Sequence, residues 1–140
     1  MMMRSSLIAL TVGAAAVIAA SSAFAQTGAG ARLAARSSDA GGVRVVVKPT
    51  SIAAGSAWEF EVTMDTHTKP LNEDLTKVAV LLDESQQRYA PSEWRGDPPG
   101  GHHRKGVLRF PAPTGQPKSF EVHIESLGGP GKRVFQWKTD

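Results

Sequence analysis

The sequence predicts an all-β protein that folds as a single antiparallel β-sandwich. Short segments rich in β-branched and aromatic residues recur along residues 43–138. Several of these segments alternate apolar and polar residues with a period of two, which is typical of half-buried strands. Turns rich in glycine and proline separate the segments, and none has the periodicity of a convincing amphipathic helix. Together these features indicate about seven short strands.

Residues 1–25 have the features of a secretory signal peptide. Arg4 precedes an alanine-rich apolar run over residues 7–20, and Ala-Phe-Ala at 23–25 places small residues where signal peptidase cleaves. The run is shorter than the about 20 residues that a transmembrane helix needs. We therefore expect a periplasmic or secreted protein with no stable membrane span after cleavage. A signal segment retained as a membrane anchor is the alternative.

Residues 26–42 follow and are rich in alanine, glycine and serine, with Leu33 as their one larger apolar residue. This composition predicts a flexible linker ahead of a β-sandwich domain over residues 43–138. The exported chain from Gln26 onward is the size of one domain with one core.

The composition excludes several classes of function. The formal net charge is +3 and falls by one when Arg4 is removed, and basic residues form no stripe of the kind that binds nucleic acid. The chain has no cysteine, so neither a thiol nucleophile nor a cysteine-ligated zinc site can form. Stability must come from the core or partly from a bound metal.

The first strands are predicted over residues 43–48, which end at Pro49, and 58–64, which alternate cleanly. A polar loop spans 65–74. Residues 75–82 are apolar on both faces, which favours a central strand over a helix because the apolar residues are contiguous.

A short strand over 87–90 ends at Pro91, and a long loop containing Pro-Pro-Gly-Gly-His-His leads to a strand over 106–110. The last two strands are predicted over 119–127 and 132–138, with a hairpin turn between them. Their number and spacing favour an immunoglobulin-like or fibronectin-III-like sandwich. The two cysteines of antibody domains are absent.

Alternate connections of such a sandwich lie at the same end, so the loops 65–74 and 91–104 and the turn 128–131 should converge. Three of the four histidines lie in the first two loops, whereas His123 alternates outward on its strand and is expected at the surface. Imidazoles from different loops can bind zinc or copper. The candidate metal ligands are Asp65, His67, His102 and His103. The alternative is that these histidines only hydrogen-bond to backbone carbonyls.

The long loop also carries the candidate residues for binding a ligand or partner. They are Trp94, Arg95, His102, His103 and Arg104. An exposed tryptophan would offer an aromatic platform. In the alternative, Trp94 folds back over the open end of the sandwich. Neither a serine-hydrolase elbow, nor a zinc-protease motif, nor a phosphate-binding loop is present, so no catalytic residue is predicted.

Three segments carry a resemblance to known proteins: D-T-H-T at 65–68, W-R-G-D-P-P-G-G-H-H-R-K-G-V-L-R-F at 94–110 and L-G-G-P-G-K-R-V-F-Q-W at 127–137. With the signal peptide, they make the chain similar to a group of small, uncharacterised exported prokaryotic immunoglobulin-like β-sandwich proteins. The resemblance implies the sandwich fold and no particular functional residues. A looser architectural similarity links the chain to periplasmic copper carriers, but their methionine-rich loop and N-terminal histidine are missing here.

The expected function is that of a non-enzymatic exported module that presents one loop-rich end to an envelope protein or a small ligand. No cofactor and no nucleic acid are expected. The alternative function is a periplasmic copper or zinc protein that binds the metal through its loop histidines.

Overall fold

The structure, a computed structural model, describes residues 33–139. This part of the chain is all-β, with two antiparallel sheets that pack face to face. The predicted signal peptide and residues 26–32 of the predicted linker lie outside the described residues. Within residues 33–139, no helix has the length and hydropathy needed to cross a membrane.

Nine strands and one short helix make up the described fold. The strands are β1 (Arg36–Ala40), β2 (Val43–Ser51), β3 (Trp58–Thr66), β4 (Ala79–Asp83), β5 (Arg88–Tyr89), β6 (Glu93–Gly96), β7 (His103–Phe110), β8 (Ser119–Glu125) and β9 (Lys132–Lys138). The helix α1 (Leu75–Val78) precedes β4. The five-stranded sheet has the order β1-β2-β3-β7-β6, and the four-stranded sheet has the order β5-β4-β8-β9.

Aromatic side chains from both sheets form the centre of the core. Phe60 of β3 lies 5.8 Å from Trp137 of β9 and 6.0 Å from Phe120 of β8, measured between ring centres. Trp58 packs edge-on against Phe120 at 4.8 Å. Strict alternation of buried and more exposed residues along β3 and β9 produces this arrangement, because successive side chains of a strand point to opposite faces. The strands predicted from alternation are confirmed.

The described part of the predicted linker corrects the expectation of a flexible segment. Residues 36–40 form β1, which pairs antiparallel with β2 so that Ser38 lies opposite Val45. The indole N–H of Trp137 donates to the backbone carbonyl of Ala34 at 2.8 Å. The folded domain therefore begins before Val43, because backbone pairing and side chains from the core hold a segment that has few apolar residues of its own.

The predicted long loop is largely a β-hairpin. Residues 93–96 form β6, and β7 begins at His103, three residues earlier than expected. Glu93 lies opposite Arg109, and Gly96 lies opposite Gly106. The connection is thus reduced to residues 97–102, whose prolines and glycines make the turn. Trp94 lies on a strand and not in a loop.

The strand predicted over 75–82 begins only at Ala79, because one turn of helix precedes it. The Asp74 side chain caps this helix by accepting hydrogen bonds from the Thr76 backbone N–H at 2.9 Å and from its hydroxyl at 2.6 Å. These bonds hold the pKa of the Asp74 carboxyl below its ordinary value of 3.8, more than offsetting the opposing effect of desolvation.

Candidate functional site at the loop end

The loops that were expected to converge do so at one end of the sandwich. We call this end, formed by residues 41–42, 67–74, 97–102 and 126–131, the loop end. The N–H of Thr66 donates to the His102 carbonyl at 2.9 Å, and the N–H of Leu71 donates to the Gly101 carbonyl at the same distance. The ammonium group of Lys69 donates to the Gly128 carbonyl at 2.9 Å. These bonds confirm the predicted shared end.

Glycine at position 128 lets the β1–β2 turn approach the β8–β9 turn closely. Gly128 has a φ angle of +79°, in the region that only glycine enters without strain. A Cβ atom there would lie 2.8 Å from the Gly41 carbonyl oxygen and 2.8 Å from the Val43 side chain. A Cβ at Gly41 would in turn clash with the Gly128 carbonyl, so the two turns can touch because both positions lack a side chain.

Arg104 is a buried residue that supports the backbone of the loop end. It is not the surface binding residue that the sequence predicted. Only 1% of its surface is exposed. Its Nη1 atom donates to the carbonyls of Leu71 at 3.1 Å and Glu73 at 2.8 Å. Burial lowers the pKa of the guanidinium, although Glu73, Asp74 and Asp97 oppose this shift. The residue ties the 67–74 loop to β7, so it determines the shape of the loop end and does not present a free charge.

Trp94 packs back onto the fold, which corresponds to the alternative left open by the sequence. The guanidinium of Arg104 lies 5.5 Å from the centre of its ring, and its indole N–H donates to the Asp97 carbonyl at 2.9 Å. The ring also lies against Gly106, where a Cβ atom would come within 2.7 Å of it. Trp94 therefore covers Arg104 and is no free aromatic platform.

Arg95 lies on the outer face of the five-stranded sheet, away from the turns of the loop end. It forms an exposed ion pair with Glu93 at 3.0 Å. The hydrogen bond between the two raises the pKa of Arg95 and lowers the pKa of Glu93. Its charge is already matched within the sheet.

Arg133 is a second buried arginine at the loop end, which the sequence reasoning missed. Its guanidinium donates to the backbone carbonyls of Ser38, Ala40, Val43 and Leu127 at 2.6 to 3.0 Å. Burial lowers its pKa, and Asp39 partly opposes the shift. It fastens β1 to the second sheet. The one sequence signal is its position: Arg133 occupies a core-facing place in the alternation of β9.

A surface cavity of about 470 Å³ opens beside β1 and the end of β3. Its charged or titratable lining residues are Asp39, Arg44, Asp65 and His67. Next to it, Nδ1 of His103 lies 2.5 Å from Oδ1 of Asp65, and about half of each side chain is exposed. The cavity thus offers two carboxylates, a guanidinium and one imidazole to a polar ligand.

The four candidate metal ligands are only partly brought together. Asp65 bonds to His103 and shares the cavity lining with His67. His102 is exposed and contributes its backbone carbonyl to the bond with Thr66. Within residues 33–139, no three His, Asp or Glu side chains are arranged to hold a metal ion. The four candidates therefore do not form a metal site of three or more side chains within these residues.

The outer face of the five-stranded sheet pairs its own charges. Acidic and basic side chains alternate across neighbouring strands. The contacts within 4.0 Å are Arg44–Asp39, Arg95–Glu93, His103–Asp65, Lys105–Glu61, Arg109–Glu59 and Arg109–Glu93. Exposed pairs of this kind contribute little stability, and the face therefore carries both signs of charge in close alternation.

His123 differs from its predicted exposure. It alternates to the outer side of β8 as expected, but only 7% of it is exposed. Its Nε2 atom lies 2.6 Å from a carboxylate oxygen of Glu121. The ring lies between Val80 and Val134 of the neighbouring strands, so these side chains and the carboxylate account for its burial.

A second cavity, of about 420 Å³, lies at the opposite end of the sandwich. Ile52, Trp58 and Pro117 form its apolar lining, and Gln116, Lys118 and Thr139 are among its polar lining residues. Of the described residues, Lys118 is the one charged residue that lines it, whereas Asp39 and Arg44 form an ion pair within the cavity beside β1.

Comparisons of the chain with protein-family models, curated proteins and solved structures returned no match. The geometry and chemistry of the loop end are therefore the basis for assigning a function.

Proposed function

We propose that the chain is an exported, non-enzymatic immunoglobulin-like module that binds an envelope protein or a small polar ligand at its loop end. The order of the strands supports the immunoglobulin-like type. In immunoglobulin lettering, β2-β3-β7-β6 corresponds to A-B-E-D, and β5-β4-β8-β9 corresponds to C′-C-F-G. The strand β1 then extends this sheet by pairing with β2, the strand that corresponds to A.

The observation that carries this proposal is the cavity beside Asp65 and His67. Its walls come mainly from β1, β2 and the end of β3, and the buried guanidinium of Arg133 holds the backbone carbonyls of Ala40 and Val43 in that lining. A site held in one shape before binding loses less entropy when a ligand arrives. The lining carries both signs of charge, so it suits a ligand or protein segment that also carries polar or charged groups.

The exposure of the His103–Asp65 pair favours a role in binding over a role in catalysis. The side chains of His103 and Asp65 are 60% and 46% exposed. Groups that act as catalytic acids or bases are usually desolvated, because burial adjusts their pKa values to the reaction. We therefore treat His103 and Asp65 as recognition groups.

The test compares two ends of one molecule. Protein recovered from the cell envelope after expression of the full-length chain is immobilised, and retained envelope components are identified by mass spectrometry. A partner of the loop end should be retained by the wild type and lost by the Asp65→Ala/His67→Ala variant. The matched control is Gln116→Ala/Lys118→Ala at the opposite cavity, which should retain it. If only this control loses the partner, the proposed site is at the wrong end.

A metal-binding function is the second candidate, and the Asp65–His103 contact favours it. A carboxylate that accepts from Nδ1 of a histidine leaves Nε2 for a metal, an arrangement common in metal sites. His67, which lines the same cavity as Asp65, would supply a second imidazole if its loop moved toward His103. Calorimetric titration with Zn(II) and Cu(II) tests this. Micromolar binding that His67→Ala and His103→Ala abolish, but His102→Ala does not, would assign the site, whereas absence of heat would exclude it.

A further inference from the structure

Within residues 33–139, one edge of strand β9 pairs with no other strand, and four residues present their backbone groups there. The N–H of Ser126 donates to the Gly131 carbonyl, and the N–H of Thr139 donates to the Lys118 carbonyl. With the register of β8 and β9, these bonds determine which residues of β9 point their backbone groups toward β8. Arg133, Phe135 and Trp137 do so. The backbone N–H and C=O groups that point away from β8 belong to Lys132, Val134, Gln136 and Lys138.

The other sheet edges in the described part of the chain are short or already occupied. On β1, the carbonyls of Ser38 and Ala40 accept hydrogen bonds from Arg133. β5 has two residues, and β6 has four and ends before the turn that contains Pro98 and Pro99. In contrast, β9 is seven residues long, and no backbone hydrogen bond joins it to β1. It is therefore the most complete edge for pairing with another strand.

The side chains along this edge are one exposed apolar residue and two lysines, with Gln136 between them. Val134 is half exposed and is the one large hydrophobic side chain that residues 33–139 expose. Lys132 and Lys138 flank it on the same face of the strand, and neither forms an ion pair within residues 33–139. Glu125 lies opposite Lys132 in the register without contacting it closely enough for an ion pair. The edge thus combines an apolar centre with two unpaired cations.

We infer that the edge of β9 is a strand-addition site for an extended, acidic protein segment. Such a segment would continue the four-stranded sheet by pairing its backbone with Lys132, Val134, Gln136 and Lys138. Backbone hydrogen bonds supply affinity in this mode, and alternate side chains supply specificity. Acidic residues at the two ends of the segment would face the lysines, and an apolar residue would face Val134. This surface is separate from the loop end.

Charge argues against a second copy of the chain as the occupant. Two β9 strands that pair antiparallel about Phe135 would place Lys132 of one copy opposite Lys138 of the other. Like charges directly opposite each other destabilise strand pairing. Lysine on an edge strand discourages self-association for this reason, and the same charges attract an acidic strand.

The test uses a synthetic seven-residue probe with acids at both ends and valine at the place that faces Val134, Glu-Thr-Thr-Thr-Val-Thr-Glu, blocked at both termini. Its lysine counterpart, Lys-Thr-Thr-Thr-Val-Thr-Lys, is the control probe. Binding to the protein recovered from the envelope is measured by fluorescence anisotropy up to about 1 mM protein. The acidic probe should bind at least about tenfold more tightly than the lysine probe, with a preference that decreases at high salt.

Variants and amide hydrogen exchange locate the binding. Lys132→Glu/Lys138→Glu should reverse the preference between the probes, whereas the matched control Lys48→Glu/Lys77→Glu, with the same change in net charge, should preserve it. Val134→Pro removes one edge N–H that β8 does not use and should weaken binding of the acidic probe. The amides of Val134 and Gln136 should exchange more slowly when the probe is bound.

Absence of binding by the acidic probe would overturn the inference. So would a preference that Lys132→Glu/Lys138→Glu leaves unchanged, or protection of amides at the loop end in place of those of β9. Sedimentation that shows a dimer dissolved by Val134→Pro would also overturn it, in favour of self-pairing. Loss of partner binding by Asp65→Ala/His67→Ala leaves this result unaffected, so the two surfaces are tested separately.

Discussion

The guanidinium group of Arg104 lies between the ring of Trp94, at 5.5 Å, and the backbone carbonyls of the 67–74 loop. One face of this charge is thus covered by an aromatic side chain, and its Nη1 atom donates to the main chain. A cation over an aromatic face is attracted by the ring quadrupole, more strongly when water is excluded. The contact explains why a tryptophan and an arginine from a hairpin lie under the loop end.

Removal of the Arg104 side chain should loosen that loop. Arg104→Ala leaves the Glu73 carbonyl without the donor that Arg104 supplies, and a buried unpaired group costs about 1–3 kcal/mol. The Leu71 carbonyl loses one of two donors and keeps the Gly100 N–H at 2.7 Å. We expect the free energy of unfolding to fall by roughly 3 kcal/mol, measured by urea denaturation followed by tryptophan fluorescence. Arg104→Met keeps a side chain in contact with Trp94, so its free energy of unfolding should fall by less. An alanine variant as stable as the wild type would show that water replaces these bonds without cost.

Arg133 should control the attachment of β1. Arg133→Ala removes the donors to Ser38 and Ala40, so β1 should open more often and trypsin should cleave after Arg36 about tenfold faster. Limited proteolysis with mass spectrometry gives the rate at that bond. Arg44→Ala, which removes an exposed arginine, is the control and should leave the rate nearly unchanged. Equal rates in both variants would mean that pairing with β2 is enough to hold β1.

Gly106 should tolerate no larger residue. A Cβ atom there would lie 2.7 Å from the Trp94 ring and 2.8 Å from the Gly96 Cα atom, so Gly106→Ala must displace the β6–β7 hairpin. We expect a loss of roughly 2–3 kcal/mol in thermal or urea unfolding. Gly115→Ala meets open space but keeps a φ angle of +72°, so it should cost only about 1 kcal/mol. A smaller effect at Gly106 than at Gly115 would contradict the tight packing of the hairpin.

The charge of Asp74 should contribute to stability at neutral pH and not in strong acid. Its folded-state pKa is lowered below 3.8 by hydrogen bonds from Thr76, and to a lesser extent by Lys77 and Arg104. A lowered folded-state pKa gives a contribution that is present above pH 3.8 and lost as the pH falls through the folded-state value. Unfolding between about pH 6 and about pH 2 should therefore depend less on pH in Asp74→Asn, which keeps a capping side chain. If Asp74→Asn leaves the pH dependence of unfolding unchanged, Asp74 does not contribute to the loss of stability in acid.

Strands were predictable from the sequence where they carry enough apolar residues to show the alternation of a half-buried strand. Trp58, Phe60 and Val62 alternate with polar residues, and the observed burial of β3 follows that alternation. β1 has no such pattern, since its sequence is Arg-Ser-Ser-Asp-Ala. Its place beside β2 follows from the Gly41-Gly42 hairpin turn. Its attachment to the second sheet depends on Arg133, which is 95 residues from Ser38 in the chain, and no local pattern contains that second contact.

The candidate site was predictable in outline but not in its chemistry. Alternation of strands was enough to bring His67 and His103 to one end. It was not enough to separate Arg104, which is buried, from His103, its exposed neighbour. Both look alike as polar residues in a loop, and only the start of β7 at His103 decides that the next side chain points inward.

The acceptors that Arg104 and Arg133 use at the loop end are mainly main-chain oxygens. Every amino acid has a carbonyl oxygen, so this framework places little demand on which side chains the turns carry. Exposed positions such as His67, Thr68 and His102 can be replaced without removing a partner of either arginine. The loop end is for this reason suited to diversification, in evolution or in a designed library, with the two arginines kept constant.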